Sequence, residues 1–307
     1  MVEVTHERRS DAVSALAISG HIGFVYAGPL VAAAAFEPWL LPLAWLHFGL
    51  FGNGLLNLLH ECAHGLVFRT KRRSVRLGRY VVGPLIGTDH DSYQNRHWEH
   101  HRELGTDRDT KLTYREKIGG RRLAALILRS LTLTEGLRKF RLQTSPHLAR
   151  PEFRSQGVGW LLRAALAQSV VLALLVAAAR IGSPSWSAAL AWALVVYGTT
   201  ILYALVSLTS LMASLRAIAE HQRTPFDDAV EGDAALRNFR CGRLQTLLFG
   251  CYGFSEHRTH HEHPAIPYYA LRRTTLGLEA TGDLPPRSQT YLGLLTSLVR
   301  SPVWAKD

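Results

Sequence analysis

The sequence predicts an all-α, polytopic membrane protein: four transmembrane helices in two hairpins, with a cytoplasmic helical cap that holds a di-metal histidine site. Three observations predict it. The chain has four apolar stretches near the length of a bilayer crossing, its basic residues gather outside the two hairpins, and most of its fifteen histidines cluster at helical spacing.

The first pair of spans covers about 12–36 and 39–59, separated by little more than Glu37-Pro38; the second covers about 161–179 and 186–212, joined by Arg180 to Ser185. Each approaches the roughly 20 residues that cross a hydrocarbon core of about 30 Å. His6-Glu7-Arg8-Arg9, an apolar run and Ala32 to Ala35 also have the order of a signal peptide. The run is long for one and leads straight into the second span, so an uncleaved span is expected.

Charge sets the orientation. Of 35 Lys and Arg, 20 lie between Gly65 and Gly157, 11 lie from Ala213 onward, and Arg8 and Arg9 precede the first span, whereas the short connections contribute only Arg180. The positive-inside rule therefore puts both termini and the segments 65–157 and 213–307 in the cytoplasm. A net charge of +11 invites a nucleic-acid reading. Basic residues flanking spans are explained by topology and anionic lipid, and no recognition motif accompanies them, so no nucleic-acid partner is expected. Cys62, Cys241 and Cys251 form no C-x-x-C pair, which excludes a disulfide framework and an iron–sulfur or zinc-ribbon cluster and leaves them as small buried hydrophobes.

Within the cap, Arg121 to Phe140 places Leu123, Leu126, Ile127, Leu131, Leu137 and Phe140 near helical spacing with basic residues between, which predicts a helix lying in the membrane surface; Leu244 to Phe254 is expected to do the same. No repeat or flexible linker divides the chain, so one domain is expected.

The histidines carry the chemistry. His60 and His64 stand in H-E-C-A-H, His97, His100 and His101 in H-W-E-H-H, and His257, His260 and His261 in H-R-T-H-H. Residues three and four apart share a helical face, so each cluster points two or three imidazoles at one place. H-E-C-A-H also matches the zinc-protease pattern H-E-x-x-H. An intramembrane protease would take a third ligand, commonly an aspartate, from another span; residues 161–212 contain no Asp or Glu, and the two triplets would go unused. A catalytic zinc takes three protein ligands, whereas eight or nine nitrogens suit two metal ions; imidazole alone does not choose among iron, copper, zinc and nickel. The 21 residues from Trp39 to His60 span roughly 30 Å of helix, and helix continued from Trp186 to R-A-I-A-E-H delivers His221 beyond the head groups, so all clusters meet on one side. A metal transporter would instead place ligands near the midplane along a path.

With H-E-C-A-H-G (60–65), H-W-E-H-H (97–101) followed by L-G-T-D-R-D, R-A-I-A-E-H (216–221) and H-R-T-H-H-E-H-P (257–264), the sequence resembles the membrane-bound fatty acid desaturase superfamily of histidine-box di-iron desaturases and hydroxylases, over roughly residues 40 to 270. The resemblance implies a single membrane domain over 1–307, two Fe ions, O2 as co-substrate, and ligands His60, His64, His97, His100, His101, His257, His260 and His261, with His221 as the ninth. It implies an oxidoreductase that introduces a double bond into a fatty acyl chain or acyl lipid; the alternative is a hydroxylase or ketolase of a lipid, terpenoid or other apolar metabolite. The chain has no ferredoxin-type cysteine set and no G-x-G-x-x-G, so an external donor, ferredoxin, rubredoxin or cytochrome b5-like, is implied as partner.

Neighbouring residues have quieter readings. Asn53 and Asn57 are expected to hydrogen-bond between spans rather than line a channel, and Tyr203, Ser207, Ser210 and Ser214 to pack helices. Glu61, Asp107, Asp109 and Glu220 suit hydrogen bonds to ligand imidazoles or arginines. His263 is read as an outer or surface group, His21, His47, His90 and His147 as structural, and Arg163 as snorkelling toward the interface.

Overall fold

In the computed structural model, residues 10–111, 113–115, 119–143, 150–154, 157–223 and 234–300 are described; Arg8, Arg9 and His147 lie outside them. The described residues are almost entirely helical, with no strand beyond an isolated bridge between Gln222 and Ala234. Four helices are long and apolar enough to cross a membrane: Asp11–Ala35, Pro38–His64, Gly159–Gly182 and Trp186–His221. The second and fourth run past their apolar stretches and end on His64 and His221.

The first helix starts where the second ends. Asp11 accepts from the Arg69 backbone N–H (2.7 Å) and from Arg73, five and nine residues beyond His64. At the other end Gly182 lies against Ala34 and Phe36, where a Cβ would come within 2.7 Å of a backbone oxygen. Large apolar side chains on the outside, Leu16, Leu162, Leu166 and Ile181 among them, are 68–80% exposed, the pattern of helices solvated by lipid.

The second and fourth helices approach closely because Gly49 and Gly52 face Leu208 and Thr209, and a Cβ at either glycine would meet those side chains at 2.6–2.7 Å. Thr209 Oγ1 donates to the Gly49 carbonyl across the contact (3.2 Å). The expected packing role holds for Tyr203 and Ser207 on the fourth helix: Ser207 accepts from Trp45 Nε1 (3.4 Å) and Trp45 stacks on Tyr203; Ser214 instead donates to Ser210 O within its own helix (2.8 Å) and lines the cavity beside the imidazoles.

Two expectations are corrected. Arg121 to Phe140 is two helices, Gly120–Leu131 and Thr134–Gln143, broken at Leu133, whose φ is 62°. The Thr132 and Thr134 hydroxyls take the Leu128 and Arg129 carbonyls (2.8 and 3.3 Å), offering the backbone an alternative to continued helix. Its apolar face is only partly free: Leu126 is buried in a cluster with Leu294 and Leu298 of the helix Tyr291–Arg300, while Leu128 and Leu137 stay exposed. Leu244 to Phe254 is not a surface helix either. It is helical to Gly250, then breaks at Tyr252 (φ 57°) and Gly253 (φ 76°) before His257–Glu262 resumes.

Asn53 and Asn57 serve that break and do not join span to span. Asn53 Nδ2 donates to Leu248 O (3.1 Å), and Asn57 Nδ2 donates to both Phe249 O and Cys251 O (3.1 Å each). Tyr291 Oη takes Phe254 O (2.8 Å), Phe239 N–H takes Ser255 O (2.6 Å), and His21 Nδ1 lies 2.7 Å from Tyr252 Oη. A broken helix away from water must find donors for its freed carbonyls, and these side chains supply them. The third histidine cluster is thereby fixed to the first two long helices.

Candidate metal centre

Four short stretches deliver nine imidazoles. His60 and His64 close the second long helix, His221 closes the fourth, His97, His100 and His101 lie on the helix His90–Glu103, and His257, His260 and His261 on His257–Glu262. Their ring nitrogens form two adjoining groups. His60, His64, His97, His101 and His260 offer nitrogens all within 4.8 Å of one another; His100, His221 and His261 do the same, and His257 joins them through His221, Nε2 to Nε2 2.9 Å. All are buried except His101 and His261, which are half-buried.

The rings meet as lone-pair donors rather than as hydrogen-bonded partners. His64 Nε2 faces His97 Nε2 at 2.6 Å, His101 Nε2 faces His97 Nε2 at 3.1 Å, and His100 Nε2 faces His221 Nε2 at 3.2 Å. The buried nitrogens His60 Nε2, His261 Nε2 and both of His260 have no hydrogen-bond partner. Burial, then the neighbouring imidazoles, hold His97, His257, His260 and His261 far below the ordinary imidazole range, and His101 is pushed down to about 2. Neutral imidazoles with unpaired nitrogens turned inward are the donor set a divalent transition metal requires, so the residues fit a pair of such ions.

Carboxylates orient the rings from behind. Glu61 Oε1 lies 3.1 Å from His60 Nδ1, and Asp109 Oδ1 lies 2.8 Å from His100 Nδ1. Asp109 is itself fully buried and held by Tyr114 Oη and the Lys111 backbone N–H. Burial, the largest single influence, would raise its pKa; the His100 hydrogen bond and charge, together with Tyr114 Oη and the Lys111 N–H, outweigh it and keep the carboxyl below its ordinary range. Glu220 spans Arg216 Nη1 (3.3 Å) and Tyr291 Oη (3.0 Å), with His257 Nε2 at 3.6 Å. Asp107, expected in the same role, is exposed and away from the rings, because the Thr106-to-Asp109 turn points it outward. Tyr114, Tyr291 and Arg216 complete this shell unforeseen; only Arg216, one turn before Glu220, carried a spacing signal.

The remaining histidines are structural or superficial. His47 Nε2 lies 2.7 Å from Phe24 O, His90 Nδ1 lies 3.0 Å from Asp91, and His263 is exposed. Cys62 is buried as expected, while Cys241 and Cys251 are half-buried. Arg163 lies over the Tyr80 ring, 5.4 Å from its centroid. Beside the imidazoles is a cavity of about 270 Å³, walled by His60, His97 and His100, by Leu56 and Phe254, and by Arg96 and Lys111.

Four helices of membrane-crossing length, two of them ending on His64 and His221, and two short helices that complete the nine imidazoles define a helical membrane protein of the histidine-cluster class. The sequence profile described as Fatty acid desaturase matches residues 37–291, and the chain belongs to that family. No curated protein and no solved structure matches it.

Proposed function

We propose that the chain is an O2-dependent membrane oxidoreductase with two iron ions, one held by His60, His64, His97, His101 and His260 and the other by His100, His221, His257 and His261. The observation that carries the reading is the convergence of nine neutral imidazoles in a chain of this family. Iron, when bound, supplies the redox chemistry by which O2 attacks an unactivated C–H bond, which acid–base side chains cannot do. The protein's own contribution is orientation. Glu61 and Asp109 fix the tautomer and direction of His60 and His100, and Glu220 stands against His257. The cavity beside His60, His97 and His100 gives the reacting segment a place against the imidazoles.

The reaction we favour is acyl-chain desaturation. Two neighbouring carbons each lose a hydrogen, a donor supplies two electrons, two protons are taken up, and O2 leaves as two waters. A hydroxylase or ketolase uses the same groups when oxygen returns to the carbon; the products differ by loss of two hydrogens against gain of an oxygen. Histidines gathered at helix ends argue against a transport path, which needs ligands along the bilayer interior.

We read the chain as one domain with both termini, the cap and the metal centre on the cytoplasmic side, where an external ferredoxin, rubredoxin or cytochrome b5-like donor docks against basic residues. The test is expression in a host with a compatible donor, followed by lipid profiling of wild type and His100→Ala. A new unsaturated acyl species that the variant fails to make is the expected result. An unchanged lipid profile, or full activity in the variant, contradicts the reading.

A further inference from the structure

The cavity beside the imidazoles holds two cations that the metal centre does not use. Arg96 and Lys111 both line it, and neither makes an ion pair or side-chain hydrogen bond among the described residues. They are brought together by construction: Thr110 Oγ1 donates to the Arg96 carbonyl (2.6 Å), tying the loop that carries Lys111 to the helix that carries Arg96.

The carboxylates nearby are committed elsewhere. Asp109 is taken by His100, Tyr114 and backbone N–H groups, Glu220 by Arg216 and Tyr291, and Glu61 faces His60. Burial lowers both groups, bringing Lys111 down to about 8, and the opposing pull of Asp89 on Arg96 and of Glu220 and Asp109 on Lys111 acts only through space, so an anion in the cavity is what would hold Lys111 fully charged. Two half-buried cations without a counter-ion, beside a cluster built for two further positive ions, leave the cavity short of negative charge. Its other wall is apolar, from Leu56, Ala213 and Phe254.

Resting on the proposed function, we infer that the substrate is an amphiphile with a free carboxylate, held by Arg96 and Lys111, so that the first few carbons of its chain, not the middle, lie against the imidazoles. The cavity is about 270 Å³ and the same space touches His60, His97 and His100, which leaves little distance between an anion on the two cations and the reacting carbon. A phospholipid would interpose a glycerol and an ester between its charge and its chain.

The test uses iron-loaded, full-length protein in nanodiscs of neutral lipid, with palmitate, methyl palmitate and dipalmitoyl phosphatidylglycerol as probes. Equilibrium binding should favour palmitate over its ester by about tenfold or more, the worth of a charge-assisted pair. Arg96→Gln and Lys111→Gln should each erase most of that preference at wild-type iron content, and Lys111→Arg should restore it. With O2 and reduced ferredoxin added as electron donor, product fragmentation should place the double bond or oxygen within the first few carbons. Equal binding of acid and ester, tighter binding of the phospholipid, or oxidation at mid-chain overturns the inference. If either glutamine variant loses iron, the three-lipid comparison on wild type decides alone. Selective binding of the acid without any oxidation would instead defeat the proposed function and leave this site standing.

Discussion

His101 and His261 lie face to face, their ring centroids 4.1 Å apart and their planes 20° from parallel. One belongs to the five-imidazole group and the other to the four, so the two groups share a wall. The His-His pairs explain how. Adjacent helical residues diverge by about 100°, so His100 and His101 point into different groups, and so do His260 and His261. Each triplet feeds both groups.

His261→Ala removes a nitrogen from the four-imidazole group alone. We expect the iron-to-protein ratio of the purified variant to fall from about two to about one, with the five-imidazole group still loaded. Loss of neither ion, read by elemental analysis, would show that His261 is not a ligand.

Asp109→Ala leaves His100 in place but takes away the carboxylate on its Nδ1. Outer partners of this kind are worth about 10–100-fold in metal affinity. Titration with a chelator should strip one of two ions from the variant at correspondingly lower chelator concentration. Tyr114→Phe, which loses only one of the hydrogen bonds to Asp109, should lie between the variant and wild type.

Asn57→Leu keeps the size of the side chain and orphans the Phe249 and Cys251 carbonyls. Each unpaired buried carbonyl costs about 1–3 kcal/mol. Asn53→Leu orphans one carbonyl, Leu248 O. Unfolding in detergent should therefore rank wild type above Asn53→Leu above Asn57→Leu; equal stability of all three would refute the part these amides play in holding the broken helix.

These asparagines also mark where sequence stopped being legible. Apolar runs of bilayer length and histidines at helical spacing are local patterns, so the four long helices and the convergence of the clusters could be read directly. The partner of Asn57 lies some 192 residues away and exists only because the chain breaks at Tyr252, a non-glycine residue in a left-handed conformation that no local rule favours. Asp107 and Asp109 look alike in L-G-T-D-R-D; one turn of backbone decides that only Asp109 faces His100. The break at Leu133 hid for the same reason, behind threonines whose hydroxyls capture carbonyls.

Metal-free protein should be acid-sensitive. Buried His97, His101, His257, His260 and His261 stay neutral in the folded chain far below the ordinary value of 6.5, whereas unfolded imidazoles protonate there. Below about 6.5 the unfolded state binds more protons, so stability declines as pH falls toward about 2, the His101 value, and is flat with respect to these groups above it. Thermal unfolding of chelator-treated protein between pH 8 and 4, marks set about the ordinary imidazole range, should show the midpoint dropping only on the acid side. A midpoint independent of pH would contradict buried neutral imidazoles.

Whether two irons occupy one nine-histidine centre is decided by metal analysis with Mössbauer spectroscopy on protein purified from iron-57 medium. About two irons per chain, in nitrogen-rich sites close enough to couple, are expected. A single zinc per chain, or iron that survives replacement of both His101 and His261 by alanine, would contradict the two-iron centre.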